Sequence, residues 1–199
     1  MYRTRPCSIP GCGNDGFAGT DLCRQHLDSP EEAAERLEKS IIAERNAINM
    51  DFSEMNFVNT DFSRVRFVAC RFRAASLSHV MFTGASLRLC FFDTATLNSC
   101  DFSGVDMDFC SLGDVDIFDC SFENSELIHV SFNGSRIRES TFSSSNLYDS
   151  RFIRCDLEKC HFNDCDLKRV YFMPDRSVEV STTGSNAAEA IKDLEHLYL

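Results

Sequence analysis

Four residues near the start of the chain have the types and spacing to bind a metal ion: Cys7-x4-Cys12-x10-Cys23-x2-His26. Each short interval lets one turn aim two ligands at the same ion, and two such pairs across a ten-residue loop suit a tetrahedral Cys3His site. Pro10-Gly11 before Cys12 and Gly13 after it supply the tight backbone that such a knuckle needs. The cofactor expected is one structural Zn2+, because protein ligands fill all four positions and leave none for water or substrate. A 28-residue segment with so few apolar side chains has little else to hold it folded. Arg3, Arg5 and Arg24 are offset by Asp15, Asp21 and Asp28, so no basic stripe for reading nucleic acid emerges.

The element that must carry this knuckle is written in a regular lattice. From Phe52 to Phe172 every fifth residue is large and apolar, twenty-five in succession without a miss. A helix would need a period of about 3.6 and a simple strand a period of 2. A strict period of five therefore requires a chain that turns a corner every five residues. Two residues ahead of each large residue lies a small one, as in Thr60, Val65, Cys70, Ala75 and Val80, and Asp, Asn, Ser or Arg usually stands between them.

This unit of small residue, Asp or Asn, Leu or Phe, then two variable polar residues resembles the pentapeptide-repeat family over about 125 of the 199 residues. The resemblance implies an all-β solenoid, a right-handed quadrilateral β-helix in which four pentapeptides make one coil and the large and small positions point inward. The identity of the large residue supports four units per coil independently, since it recurs every twenty residues. Phe62, Phe82, Phe102, Phe122, Phe142 and Phe162 form one series, and Leu87, Met107, Leu127, Leu147 and Leu167 another. A third runs through Leu77, Leu97, Ile117, Ile137 and Leu157. About six coils at a strand spacing of ~4.8 Å make a rod about 30 Å long. Eight of the eleven cysteines (Cys70, Cys90, Cys100, Cys110, Cys120, Cys155, Cys160 and Cys165) occupy the small inward slot, where a thiol serves as a compact hydrophobe rather than a disulfide partner.

The ends read as helical. Ser29-Pro30-Glu31-Glu32 has an N-cap Ser, Pro at the first helical position and Glu at the third. Ala34, Leu37, Ile41 and Ile48 then line one face that covers the first coil. Pro174 is expected to stop the lattice, and Asn186 with Glu189 to cap a last helix with an apolar stripe of Ala187, Ala190, Ile191, Leu194 and Leu197. That stripe either covers the final coil or pairs with a second copy, leaving a monomer or a homodimer through the C-terminal helix. The expected organisation is a zinc-knuckle segment at 1–28, similar to small zinc knuckles at the ends of bacterial and phage proteins, and a capping helix at 29–49. The β-helix follows at 50–173, and a linker with the C-terminal helix at 174–199. Met1-Tyr2-Arg3-Thr4-Arg5 lacks the apolar stretch of a secretory signal and no window approaches a membrane span, so the expected location is cytoplasmic.

No nucleophile elbow or phosphate-binding glycine loop interrupts the repeats, which excludes a recognisable enzyme site. His79, His129 and His161 stand at outward positions and read as solvated. The pairs Asp106/Asp108 and Asp114/Asp116 lack the glycine and terminal Glu of a calcium loop. Between Arg88 and Arg136 there is no Lys or Arg, while Asp93, Asp101, Asp106, Asp108, Asp114, Asp116, Asp119, Glu123 and Glu126 form an acidic girdle. A formal net charge of −11 argues against direct nucleic-acid binding. Some pentapeptide-repeat proteins mimic DNA and protect DNA gyrase, so the resemblance implies that alternative. Mapped onto four-sided coils, however, these acids ring the rod rather than run along it. Leu89 and Phe109 share one outward slot in successive coils, Phe91 follows the corner, and Ile128 and Tyr148 share the neighbouring column. Together they make a contiguous apolar patch suited to binding a partner. The function read from the sequence is a non-enzymatic protein-binding scaffold with a structural zinc.

Overall fold

A computed structural model describes residues 6–14, 16–17 and 20–193. The chain winds into a parallel β-solenoid of about seven turns with one α-helix near its N-terminus. Residues pair with those twenty positions on: Leu77 with Leu97, Leu97 with Ile117, Ile117 with Ile137 and Ile137 with Leu157. One coil is therefore four pentapeptides. One wall is a sheet of three-residue strands from Asn46–Ile48 to Glu126–Ile128, and another is a seven-stranded sheet from Asn56–Val58 to Arg176–Val178. The other two walls are held largely by isolated parallel bridges such as Asp61↔Met81 and Arg71↔Phe91.

The corners explain the five-residue period. The residue before almost every small slot takes a left-handed backbone, with φ between 50° and 61° at twenty-three non-glycine corners. At Phe102 the carbonyl accepts from Val105 N–H at 3.2 Å, closing a tight turn, while Gly104 N–H donates to Glu123 in the next coil at 2.8 Å. The left-handed conformation at a corner is thus offset by a bond to the next coil and, at some corners, by a second bond within the coil.

Every large slot from Phe52 to Leu167 is buried. The expected all-Phe wall stacks face to face: Phe82 on Phe102 at 4.7 Å, Phe102 on Phe122 at 4.8 Å and Phe142 on Phe162 at 4.7 Å. A second aromatic wall runs through Phe72, Phe92, Phe132 and Phe152, and it meets the first edge to face, as in Phe132 against Phe142 at 5.5 Å. The small slots do more than save space. Ser125 Oγ donates to Phe102 O at 2.9 Å and accepts from Val105 N–H at 3.2 Å. Cys110 and Cys155 Sγ donate to Leu87 O and Phe132 O at 3.3 and 3.0 Å. All eleven cysteines are free, and burial pushes the Cys155 thiol up to about 12, so it is unreactive at neutral pH.

Four expectations about the ends are corrected. The helix spans Pro30–Glu44 and stops at Arg45, whose φ is 50°, so Ile48 is not on its face. Ile48 instead points outward from the first strand, while Ala47 fills the large slot opposite Phe67. Ile41 is buried against the first coil, with Leu37 and Ala34 packed beside it. Ser29 caps through its carbonyl, which accepts from Ala33 N–H at 3.0 Å, and not through its side chain. Pro174 does not stop the stack. Arg176–Val178 pairs with Asp156–Glu158, and Ser181 bridges His161. The equivalent residue one coil earlier, Arg154, donates its N–H to Met173 O in the coil above, a bond that Pro174 has no N–H to make. The predicted last helix is absent from the described residues: Ala187–Glu189 is a single 3-10 turn and Ile191 bridges Tyr171. Pairing with the coil below satisfies that backbone instead. Leu194 and Leu197 lie outside the described residues.

Phe102→Ala, in the stacked wall, is expected to cost about 3–5 kcal/mol, while exposed Thr96→Ala stays within about 0.5 kcal/mol. Chemical denaturation of both variants tests the inside-outside assignment, and equal losses would refute it. Ser135 Oγ donates to Leu112 O at 2.6 Å and accepts from Val115 N–H at 2.9 Å. Ser135→Ala should therefore lose about 1–2 kcal/mol. Ser135→Cys should recover part of that loss, because a thiol makes the same bond one coil later at Cys155. No difference between the two variants would mean that the small slot selects volume alone.

Candidate metal centre and outer surface

Short backbone bonds shape the N-terminal knuckle. Cys12 N–H donates to Ile9 O at 3.1 Å across the Pro10-Gly11 turn, and His26 N–H to Cys23 O at 2.9 Å within the 3-10 turn Arg24–His26. Cys7 N–H to Asn14 O at 2.8 Å and Ser8 N–H to Asp21 O at 2.7 Å close the loop. As the spacing predicts, Cys7, Cys12, Cys23 and His26 converge, their ligand atoms all within 4.8 Å of one another. His26 Nδ1 is 3.3 Å from both Cys7 Sγ and Cys23 Sγ, and Cys12 Sγ is 3.6 Å from Cys23 Sγ. Burial opposes ionisation of Cys7. The backbone N–H groups of Cys23 and Ile9, then the His26 and Cys12 side chains, outweigh it and bring its pKa down to about 6. With no disulfide among them, the four residues could hold a metal ion, and they are the one such group of His, Cys, Asp and Glu found among the described residues. Arg3, Arg5 and Asp15 lie outside those residues.

The knuckle is joined to the rod. Phe17 is buried in the same apolar cluster as Ala47 and Phe52, with Leu27 packed against it. Arg24 Nη1 donates to Glu54 O at 3.1 Å. Sequence reasoning missed Phe17, whose signal was an aromatic residue in an otherwise polar loop.

Along the outer corner, Leu89 and Phe109 are 45% and 54% exposed, whereas Phe91, Ile128 and Tyr148 are half-buried. His129 departs from its reading as a solvated residue. It occupies the slot of Leu89 and Phe109 one coil further on, and its ring stacks on Phe109 at 4.5 Å and 11°. Its Nδ1 lies 3.2 Å from Asp108 and its Nε2 3.7 Å from Asp149, while Tyr148 meets it edge-on at 6.4 Å. Arg169 in turn covers the Tyr148 ring at 5.7 Å. The twenty-residue spacing from Leu89 to Phe109 to His129 was the available clue.

The acidic girdle is distributed over all four walls and is largely engaged. Asp116 accepts from Arg136 at 3.0 Å and Arg138 at 3.4 Å, and Asp108 pairs with Arg88 at 3.4 Å. Asp93, Asp101, Asp119, Glu123 and Glu126 accept from Ser111, Thr83, Ser99, Thr141 and Asn146. Among the described residues, Asp106 and Asp114 make no ion pair and are exposed. No helix of the described residues is long and apolar enough to cross a membrane.

Comparison with known proteins agrees with this architecture. The family profile for "Pentapeptide repeats (8 copies)" matches residues 75–114 and that for "Pentapeptide repeat region" matches residues 110–190. No curated protein matches the sequence. Among solved structures the chain is similar to HetL from the cyanobacterium Nostoc sp. strain PCC 7120, a pentapeptide repeat protein involved in heterocyst differentiation regulation. The identity is 13%, with 79% of this chain and 93% of that one covered and a TM-score of 0.34. It is also similar to the pentapeptide repeat protein Rfr23 from Cyanothece 51142, at 14% identity, 80% and 99% coverage and a TM-score of 0.36. A third is a trypsin-treated form of QnrB1, a plasmid-mediated fluoroquinolone resistance protein, at 21% identity, 70% and 78% coverage and a TM-score of 0.35. With the profiles spanning residues 75–190, more than half of the 199-residue chain, and a twenty-residue register seen in every wall, the chain belongs to the pentapeptide-repeat family.

Proposed function

We propose that the protein is a non-enzymatic docking rod whose N-terminal end is closed by a structural zinc knuckle. The observation that carries the docking reading is the placement of Leu89 and Phe109. Among the described residues they are the only large apolar side chains at left-handed corners, with φ of 55° and 54°. A bulky residue is costly in that backbone region, and side chains about half exposed recover little of that cost by burial. Phe91, Ile128 and Tyr148 extend the surface, and the stack on His129 holds Phe109 in place, which lowers the entropy lost on association. The scaffold acts in the cytoplasm, where eleven cysteines without a disulfide suit a reducing environment.

Zinc fits the knuckle by chemistry and by size. Tetrahedral Zn–S bonds of ~2.3 Å place neighbouring sulfurs about 3.8 Å apart, close to the 3.6 Å between Cys12 and Cys23. With all four positions filled by protein, the ion's work is to keep Phe17 seated on the first coil. Metal analysis of reduced protein should find one zinc per Cys3His cluster. Cys23→Ser should release it, expose Phe17 to quenchers and proteases, and leave the solenoid's circular dichroism intact. A zinc content near zero in undenatured protein would refute the site.

Replacing Phe91 and Phe109 together by Ser should abolish partner capture from the native cell, read by cross-linking and mass spectrometry, without lowering the thermal midpoint. The alternative is a DNA mimic that protects gyrase. It predicts instead that reversing Asp106, Asp114 and Asp116 to Lys abolishes protection in a supercoiling assay with quinolone, while the Phe changes matter little. Engagement of most girdle acids with neighbouring donors favours docking over mimicry.

A further inference from the structure

Resting on the docking reading, we infer that docking at this corner is gated by pH through His129. Side chains from successive coils form one chain of ion pairs beside Phe109, in the order Arg88, Asp108, His129, Asp149 and Arg169. Arg88 Nη2 lies 3.4 Å from Asp108 Oδ2, and Asp108 Oδ1 lies 3.2 Å from His129 Nδ1. His129 Nε2 lies 3.7 Å from Asp149 Oδ2, and Asp149 Oδ1 lies 3.7 Å from Arg169 Nη2. Each aspartate thus turns one oxygen to an arginine and the other to the imidazole. A carboxylate only accepts, and a neutral imidazole carries a single N–H, so the neutral ring would present a lone pair to one of the two aspartates. The imidazolium, with N–H on both ring nitrogens, completes the chain. Histidine is the side chain that changes charge between about pH 5 and 8, so the chain is complete in acid and loses a link as pH rises.

The same ring holds the apolar corner. It stacks on Phe109 at 4.5 Å and 11°, Tyr148 meets its edge at 6.4 Å, and Arg169 Cζ lies 5.7 Å over the Tyr148 ring. The charged and titratable groups facing His129 among the described residues are therefore Asp108, backed by Arg88, and Asp149 and Tyr148, backed by Arg169. Two carboxylates anchor the imidazolium, and its charge favours the Phe109 face, so protonation fixes the ring and Phe109 with it. Loss of the proton removes one anchor and returns Phe109 to rotamer exchange. Ordering that side chain again on association weakens docking by about three- to tenfold.

The test is an NMR titration of the reduced full chain from about pH 5 to about pH 8, following the His129 ring nitrogens and the χ1 populations of Phe109. At the acid end both nitrogens should be protonated and Phe109 should hold one rotamer. The rotamers should begin to average as His129 loses its proton, with the same midpoint. His129→Asn, a residue suited to the left-handed backbone at φ 56°, should abolish the pH response of Phe109. Asp108→Asn with Asp149→Asn should abolish it too while keeping the stack, because an amide can donate to the ring nitrogen that a carboxylate repels. An unchanged circular dichroism spectrum is the folding control for both. A Phe109 rotamer that stays fixed while His129 titrates, or a response that survives in His129→Asn, would overturn the gate. Docking itself is read with peptides selected from a displayed random library on the full chain and counter-selected on the Phe91→Ser/Phe109→Ser variant. Their affinity should fall about three- to tenfold from the acid to the alkaline limit, and the fall should vanish in the double Asn variant. Equal affinity at both limits would overturn the gate and leave docking intact. Equal enrichment on the wild type and the double Phe variant would overturn docking, whatever the titration shows.

Discussion

The left-handed corner, repeated every five residues, is the constraint on which the rest of the molecule depends. A non-glycine residue in that region costs on the order of 1 kcal/mol, and one unit alone cannot offset it. The coil above and below can: each corner's N–H reaches a carbonyl in the next coil, and each large side chain lies on its like twenty residues away. Stability therefore accrues by stacking, in the manner of a one-dimensional array. The two aromatic walls interlock edge to face on either side of Leu112, which interrupts the second wall.

An array stabilised only by neighbours is weakest where neighbours run out, and the two ends solve this differently. At the start, the helix Pro30–Glu44 lays Ile41 and Leu37 over the first coil, and the knuckle adds Phe17. A loop from outside the repeat, the one that carries the candidate metal site, thus completes the apolar core. At the other end the large slots are taken by Ser177, Thr182 and Ala187, and the lining of Leu167, Phe172 and Val180 is left around a cavity of about 240 Å3. The backbone ladder continues there with little core beneath it.

The surface follows from the same register. Because residues twenty apart are neighbours, the run without cations from 89 to 135 is not a bare anionic belt. Arg88, Arg136 and Arg138 come from flanking coils to meet it. What survives as distinctive is local: two apolar corners, a histidine stacked against one of them, and carboxylates on either side.

The sequence by itself determined which residues point inward, how many units make a coil, and which four residues converge as candidate metal ligands. These were legible because side-chain volume repeats at a fixed interval and because ligand spacing is a local property of a short loop. Only the tertiary structure decided how far the stack runs past Pro174, that Ile48 belongs to a strand, and that Ala187–Glu189 is a turn rather than a helix. Backbone pairing with the coil below holds those segments, and such pairing leaves no mark on side-chain type. The same holds for His129 between Asp108 and Asp149 and for Phe17 in the core. Their partners are distant in sequence and are set by coil register and by the docking of one element on another, so no local pattern could announce them.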